Sequence, residues 1–192
     1  MGQPKQLLDV GGRTMLEAVV EPLIASRCLD SIVVVTHSAI ASRIVLASHP
    51  RLQVVVNDDQ TSEMIDSVRM GLRALGVADQ HEQRDPARAR DGFLVLPGDQ
   101  PGLSPTDIHT CVEAFRRPSG QIVIAAWRGQ RGHPIVFPSS LAAFVMSEAC
   151  DHGLHVLAQR HEGLVITAEC ESPAVLRNIN TATDYDDLQV PP

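Results

Sequence analysis

The sequence lacks most of the short signatures that announce a chemistry. It has no G-x-x-x-x-G-K-[ST] stretch, which excludes P-loop phosphate binding. It has no G-x-S-x-G, no H-E-x-x-H and no Cys-His pairing signal, so hydrolase and zinc-protease readings are without support. A single Trp and a single Tyr are poor material for stacking the bases of a single strand. Positive charge is also short: 16 basic against 23 acidic residues leave a formal net charge of −7. That balance argues against a broad nucleic-acid footprint or a lipid-surface patch, yet permits a small phosphate site lined by a few basic side chains. No apolar stretch is long enough to span a bilayer. Internal repeats and low-complexity tracts are missing as well.

Cysteine is sparse and scattered. Cys28, Cys111, Cys150 and Cys170 stand far apart in sequence, so neither a C-x-x-C pair nor a zinc spacing exists. They read as reduced, mostly buried thiols of a cytoplasmic protein. The first residues, "MGQPKQLLDVGG", lack the charged-then-apolar pattern of a signal peptide and the Ser or Thr of a myristoylation site.

What is present is an alternation. The 192 residues, 44% hydrophobic and 20% charged, fit one domain over 1–192 with a real core. Short β-branched runs predict strands at 31–36, 52–57, 92–97, 121–127, 133–137, 163–169 and 174–179. Helical spacing of apolar residues predicts helices over 14–26, 39–48, 62–75, 104–117, 139–149 and 155–161, with Thr14 and Ser104 as caps. The polar stretch 78–92 reads as an exposed loop. Buried strands alternating with helices imply an α/β fold whose mostly parallel sheet is covered on both faces.

Ligands in such folds sit beyond the carboxyl ends of the strands. Asp99, in "FLVLPGDQPG", lies just past such an end, between the freedom of Gly98 and the fixed exit of Pro101. It reads as a metal ligand or as a turn aspartate bonding its own backbone. Lys5, in "GQPKQLL", sits on a stiff loop that suits a phosphate, although surface lysines are common. "RGQRGHPIVF" gathers Arg128, Arg131 and His133 between two strands, as a hairpin loop or as an anion site. Asn180, in "NINTATD", is either an amide-oxygen metal ligand or an Asx turn. His152 and His155, in "DHGLH", stand three apart, but the glycine between them favours a helix-capping loop over a metal site.

In their order, "MGQPKQLL", "PGDQPGLS", "RGHPIVF", "DHGLHVLAQ" and "NINTATD" resemble the MobA-like nucleotidyltransferases, nearest the molybdenum-cofactor cytidylyltransferase branch, from Gly2 to about Leu188. The resemblance implies a Rossmann-like three-layer α/β/α sandwich. It also implies an enzyme that joins a nucleoside triphosphate, here CTP, to a phosphorylated acceptor such as molybdopterin, with Mg²⁺, releasing pyrophosphate. By resemblance Lys5 contacts the triphosphate, Asp99 and Asn180 hold the metal, Arg131 and His133 meet the acceptor, and Asn57 lies near nucleotide and acceptor. A sugar-phosphate acceptor, or a degenerate relative that only binds cofactor, is the alternative. The family carries a strand and a glycine-rich loop ahead of the position of Met1; that first strand is absent here. Met1 is therefore expected to be an internal methionine, and an N-terminally extended chain to bind nucleoside triphosphate better. Glu63 stands where the family has a glycine, and His155 where an arginine is common.

Overall fold

The computed structural model describes residues 4–44, 48–77, 91–117 and 120–189. Most of the stretch 78–92 read as a loop lies outside the described residues. After a 3-10 turn at Lys5–Leu7 come α1 (Met15–Ser26), β1 (Ile32–Thr36), α2 (Ser38–Ala41), β2 (Leu52–Val56) and α3 (Met64–Ala74). Next are β3 (Gly92–Val95), α4 (Pro105–Arg116), β4 (Ile122–Trp127) and β5 (Gln130–Pro138). The chain closes with α5 (Ala142–Met146), α6 (Leu154–Arg160), β6 (Val165–Glu169) and α7 (Ala182–Gln189). The helix expected over 39–48 is the four-residue α2, and residues 45–47 lie outside the described set.

Strands β1 and β2 pair in parallel as one sheet, while a second sheet has the order β3-β5-β4-β6. Among the described residues no strand joins the two. The α/β class holds, but the four-stranded sheet is mixed rather than mostly parallel: β4–β6 is parallel, whereas β3–β5 and β4–β5 are antiparallel. The cause is local. Arg128 and Gly129, both with positive φ (51° and 77°), close a two-residue turn between β4 and β5, and a hairpin is antiparallel by construction.

The continuous apolar run of β4, Ile122 to Ala126, is buried throughout because both faces of the sheet are covered. Val123 and Ala125 face one core with Leu16, Val20 and Leu23 of α1 and Ile108 of α4. Ile122 and Ile124 face another, with Ile65 and Leu72 of α3, Val145 of α5 and Leu154 and Leu157 of α6. Successive residues serve opposite faces, and the result is the three-layer sandwich. The first core also takes in Ile32, Val34 and Leu52, so the separate β1–β2 pair shares it with the larger sheet.

Two helices that serve this shared core begin with reciprocal caps. Thr14 Oγ1 accepts from the Glu17 amide at 3.2 Å while the Glu17 carboxylate accepts from the Thr14 amide at 2.9 Å. At α4, Ser104 Oγ accepts from the Asp107 amide at 3.1 Å, and the Asp107 carboxylate accepts the Ser104 amide and hydroxyl at 2.9 and 2.7 Å. On the other face Arg69 of α3 donates to the carbonyls of Val145 and Ser147 and to Asp151, fastening α3 to the segment before α6. Asp107 is almost fully buried. Ser104→Ala is therefore expected to cost about 1–2 kcal/mol of unfolding free energy, at the upper part of the usual range for a cap, as read by urea denaturation.

Candidate active site

Three distant stretches of chain meet beyond the end of β3. The strand delivers Pro97-Gly98-Asp99-Gln100; the turn Lys5–Leu7 delivers Lys5; the segment after the 3-10 turn Pro173–Leu176 delivers Asn180. The Lys5 ammonium donates to Asp99 Oδ2 at 2.5 Å, to Asn180 Oδ1 at 3.2 Å and to the Ile179 carbonyl at 3.3 Å. The structure thus brings Lys5, Asp99 and Asn180 together. Asp99 is the more sheltered partner, with 17% of its side chain exposed against 32% for Lys5.

Backbone contacts fix the cluster. The Ile179 amide donates to the Asp99 carbonyl at 2.9 Å. The amides of Asn180 and Thr181 donate to Asp184 Oδ2 at 2.9 and 2.7 Å, which starts α7. Those backbone hydrogen bonds hold the Asp184 carboxyl below the usual aspartate value. Tyr185, on α7, donates its hydroxyl to the Asp9 carbonyl and ties this segment to the one that carries Lys5. The strand expected over 174–179 does not form. Residues Pro173–Leu176 make a 3-10 turn, capped by Ser172 accepting from the Ala174 amide at 3.1 Å. Its apolar run, Ala174 and Val175 above all, is buried without pairing in a sheet, which periodicity cannot distinguish from a strand.

Arg131 and His133 lie inside β5 and not in a loop, since the hairpin turn is only two residues long. Both line a cavity of about 500 Å³ whose apolar walls include Met64, Val95, Ile124, Ile135 and Leu154. Pro97 and His133 line the same cavity, which puts it next to the Asp99 loop. Burial pushes the His133 imidazole below its ordinary pKa, and the nearby Asp99 carboxylate pulls partly the other way. His155, in the position singled out for an arginine, also lines the cavity, with Gln159 and Glu162.

Asn57 is not joined to this cluster by a hydrogen bond. Its amide nitrogen donates to Ser62 Oγ at 2.8 Å and Ser67 Oγ at 3.3 Å, and its oxygen accepts from the Asp59 amide. It closes the loop between β2 and α3. Glu63 caps α3 with Asp66 in a reciprocal box. Among the described residues no three His, Cys, Asp or Glu side chains converge as a metal cluster, and His152 and His155 form none. No signal in the sequence assigns a role to Gln100 or Gly132. The first is fully buried, and the second lies against backbone that only the fold brings near.

A lysine, a carboxylate and an amide oxygen thus meet at a strand end, beside a cavity edged by Arg and His. The family comparison makes this specific: the profile of the MobA-like NTP transferase domain matches residues 1–164, and the chain belongs to that family. A curated relative, the nicotine blue oxidoreductase of Paenarthrobacter nicotinovorans, is 28% identical over 188 residues, covering 93% of this chain and 84% of that protein. The 2-C-methyl-D-erythritol 4-phosphate cytidylyltransferase of Cronobacter sakazakii is 37% identical over 87 residues, which cover 44% of this chain and 36% of that enzyme. Among solved structures, a nucleotidyl transferase from Methanothermobacter thermautotroptrophicus superposes with a TM-score of 0.74 at 25% identity, covering 96% of this chain and 83% of that one. The manganese complex of Rv0371c from Mycobacterium tuberculosis H37Rv shares the fold, with a TM-score of 0.70, 23% identity and coverages of 97% and 92%.

The His133 shift has a definite sign. A depressed folded value means that the neutral ring is favoured in the native state. The associated stability is present above the ordinary value of about 6.5 and is lost as pH falls through the lower folded value. A proton NMR titration of the His133 ring is expected to give a midpoint below that of an unfolded histidine, and binding of an anion beside the ring should raise it.

Proposed function

We propose that the chain, acting as one domain over 1–192, transfers a nucleoside monophosphate to a phosphorylated acceptor and releases pyrophosphate, with CTP as donor, molybdopterin as acceptor and Mg²⁺ as the metal. The observation that carries this reading is the convergence of Asp99 and Asn180 oxygens on one cation, the Lys5 ammonium, at the rim of the Arg131–His133 cavity. Two side-chain oxygens and the Ile179 carbonyl form an all-oxygen donor set, which suits a hard divalent ion. The ammonium is a stand-in for such an ion, so the residues fit the group. The manganese held by Rv0371c supports a divalent metal in this fold.

Asp99 and Asn180 would hold the metal. When bound, it supplies charge neutralisation and alignment for the phosphate oxygens. Lys5 would then turn toward the triphosphate and stabilise the charge that develops on the leaving pyrophosphate. Arg131 would hold the acceptor's anion by charge-assisted hydrogen bonds, and the neutral His133 ring would contribute a further hydrogen bond without adding charge. An acceptor oxygen forms a bond to the α-phosphorus as the bond to the β-phosphate oxygen breaks. Position and charge suffice, and no covalent enzyme intermediate is needed. Asn57 is assigned to the nucleotide and acceptor region on the family resemblance alone.

A 2-C-methyl-D-erythritol 4-phosphate acceptor is the second reading, supported by the partial match to cytidylyltransferases of that substrate. Pyrophosphate release from a panel of nucleoside triphosphates with Mg²⁺, with each acceptor in turn, decides between them. Oxidoreductase turnover is the arm that would instead support a redox role, in line with the name of the Paenarthrobacter nicotinovorans relative.

Asp99→Asn is expected to abolish pyrophosphate release while circular dichroism and melting temperature stay near those of the parent. Unchanged turnover would overturn the metal role. Arg131→Ala is expected to raise the acceptor KM by about 10- to 150-fold, the equivalent of roughly 1.5–3 kcal/mol for a charge-assisted contact, and to leave the CTP KM nearly unchanged. An equal rise in both would count against the acceptor assignment.

A further inference from the structure

Gln100 is fully buried beside the exposed chemistry of Asp99. Its amide nitrogen donates to the Ala174 carbonyl at 2.9 Å and to the Val175 carbonyl at 2.7 Å, using both hydrogens. These carbonyls belong to the 3-10 turn that leads to Ile179 and Asn180. The Val175 carbonyl also lies against Gly132. A Cβ built on Gly132 would lie 1.9 Å from that oxygen and 2.7 Å from its carbon, so any side chain at 132 would displace it. Gly132 sits between Arg131 and His133 in β5. One carbonyl is therefore held between the residue next to Asp99 and the backbone between the two cavity-lining basic side chains. The Ile179 amide closes the loop by donating to the Asp99 carbonyl at 2.9 Å.

We infer that Gln100 is the positioning residue that sets the Asp99–Asn180 pair at a fixed spacing from Arg131 and His133. It touches no substrate in the reading above. It acts through the Val175 carbonyl, against which Gly132 leaves room for no other atom. The choice of side chain follows from the two acceptors. Only a neutral amide presents two hydrogens to two carbonyls there; a glutamate would set a carboxylate against both oxygens, and a leucine would fill the volume, withdraw the donor from the Val175 carbonyl and leave the Ala174 carbonyl with the Arg177 amide alone. The site tolerates a cost for this arrangement, since the Gln100 Oε1 atom is buried with no partner among the described residues.

The kinetic part of this inference rests on the nucleotidyl-transfer reading; the structural part does not. Gln100→Leu keeps the volume and removes the donors. Amide hydrogen exchange at Ile179 is expected to quicken by about 10-fold or more in that variant, while exchange at Val123 in the middle of β4 is unchanged. At saturating substrates kcat should fall by about 100-fold, the cost of misplacing two bound reactants, while the Kd values for CTP and for the acceptor move less than about 3-fold. A merely structural residue would not split binding from turnover in this way. Unchanged exchange at Ile179 overturns the inference, as does a parental kcat in a variant whose exchange has quickened, or a loss of binding that matches the loss of rate. If Gln100→Leu does not fold, Gln100→Asn, which withdraws the amide by one methylene, is read by the same measurements. If the parent protein shows no nucleotidyl transfer, the functional reading fails on its own, and exchange at Ile179 decides the brace.

Discussion

A single ammonium group, shared between a carboxylate, an amide oxygen and a main-chain carbonyl, holds the amino-terminal turn, the end of β3 and the start of α7 at one point. Asp99 is mostly sheltered, and the Lys5 ammonium lies against its carboxylate. The backbone bond from Ile179 to Asp99 and the cap at Asp184 keep the oxygens converged. Under the proposed function, the same convergence would serve a divalent ion, and the lysine would turn to a ligand's phosphates.

The sheet is built for this arrangement. Strand β4 has no exposed face, and its alternate residues belong to two different cores. That leaves the strand ends and the adjoining segments as the surfaces free for ligands, as open α/β sheets generally do. The cavity lies where β3 and β5 adjoin α3 and α6. Its walls are apolar and its polar groups come from Arg131 and His133 on the strand side and from His155, Gln159 and Glu162 on the helix side. Burial pushes the His133 imidazole below its ordinary pKa, with the Asp99 carboxylate opposing the shift.

A membrane-crossing role has no support from the helices, since none among the described residues is long and apolar enough. Cys111, Cys150 and Cys170 are buried, Cys28 is half-buried, and all four are free. Burial pushes the Cys150 thiol up, which makes it less reactive.

Much of this was legible in the residues. Caps at Thr14 and Ser104 fall where the side chains dictate, because a cap is a local hydrogen bond between residues three apart. The buried strands are apolar because both their faces are covered, and Asp99 follows one of them because acids are not tolerated inside the run. Other features depended on distance. The antiparallel hairpin turned on two residues with positive φ, which strand patterning does not register. The run after Ser172 was apolar like a strand, yet its carbonyls are bonded to Gln100 and not to a neighbouring strand. Sequence alone determined which residue types are available and where the helices capped by Thr14 and Ser104 begin. Tertiary structure alone decided that Lys5, Asp99 and Asn180, separated by 94 and 175 positions from the lysine, share one ammonium. Contacts of that separation depend on how layers pack, and no local propensity encodes them.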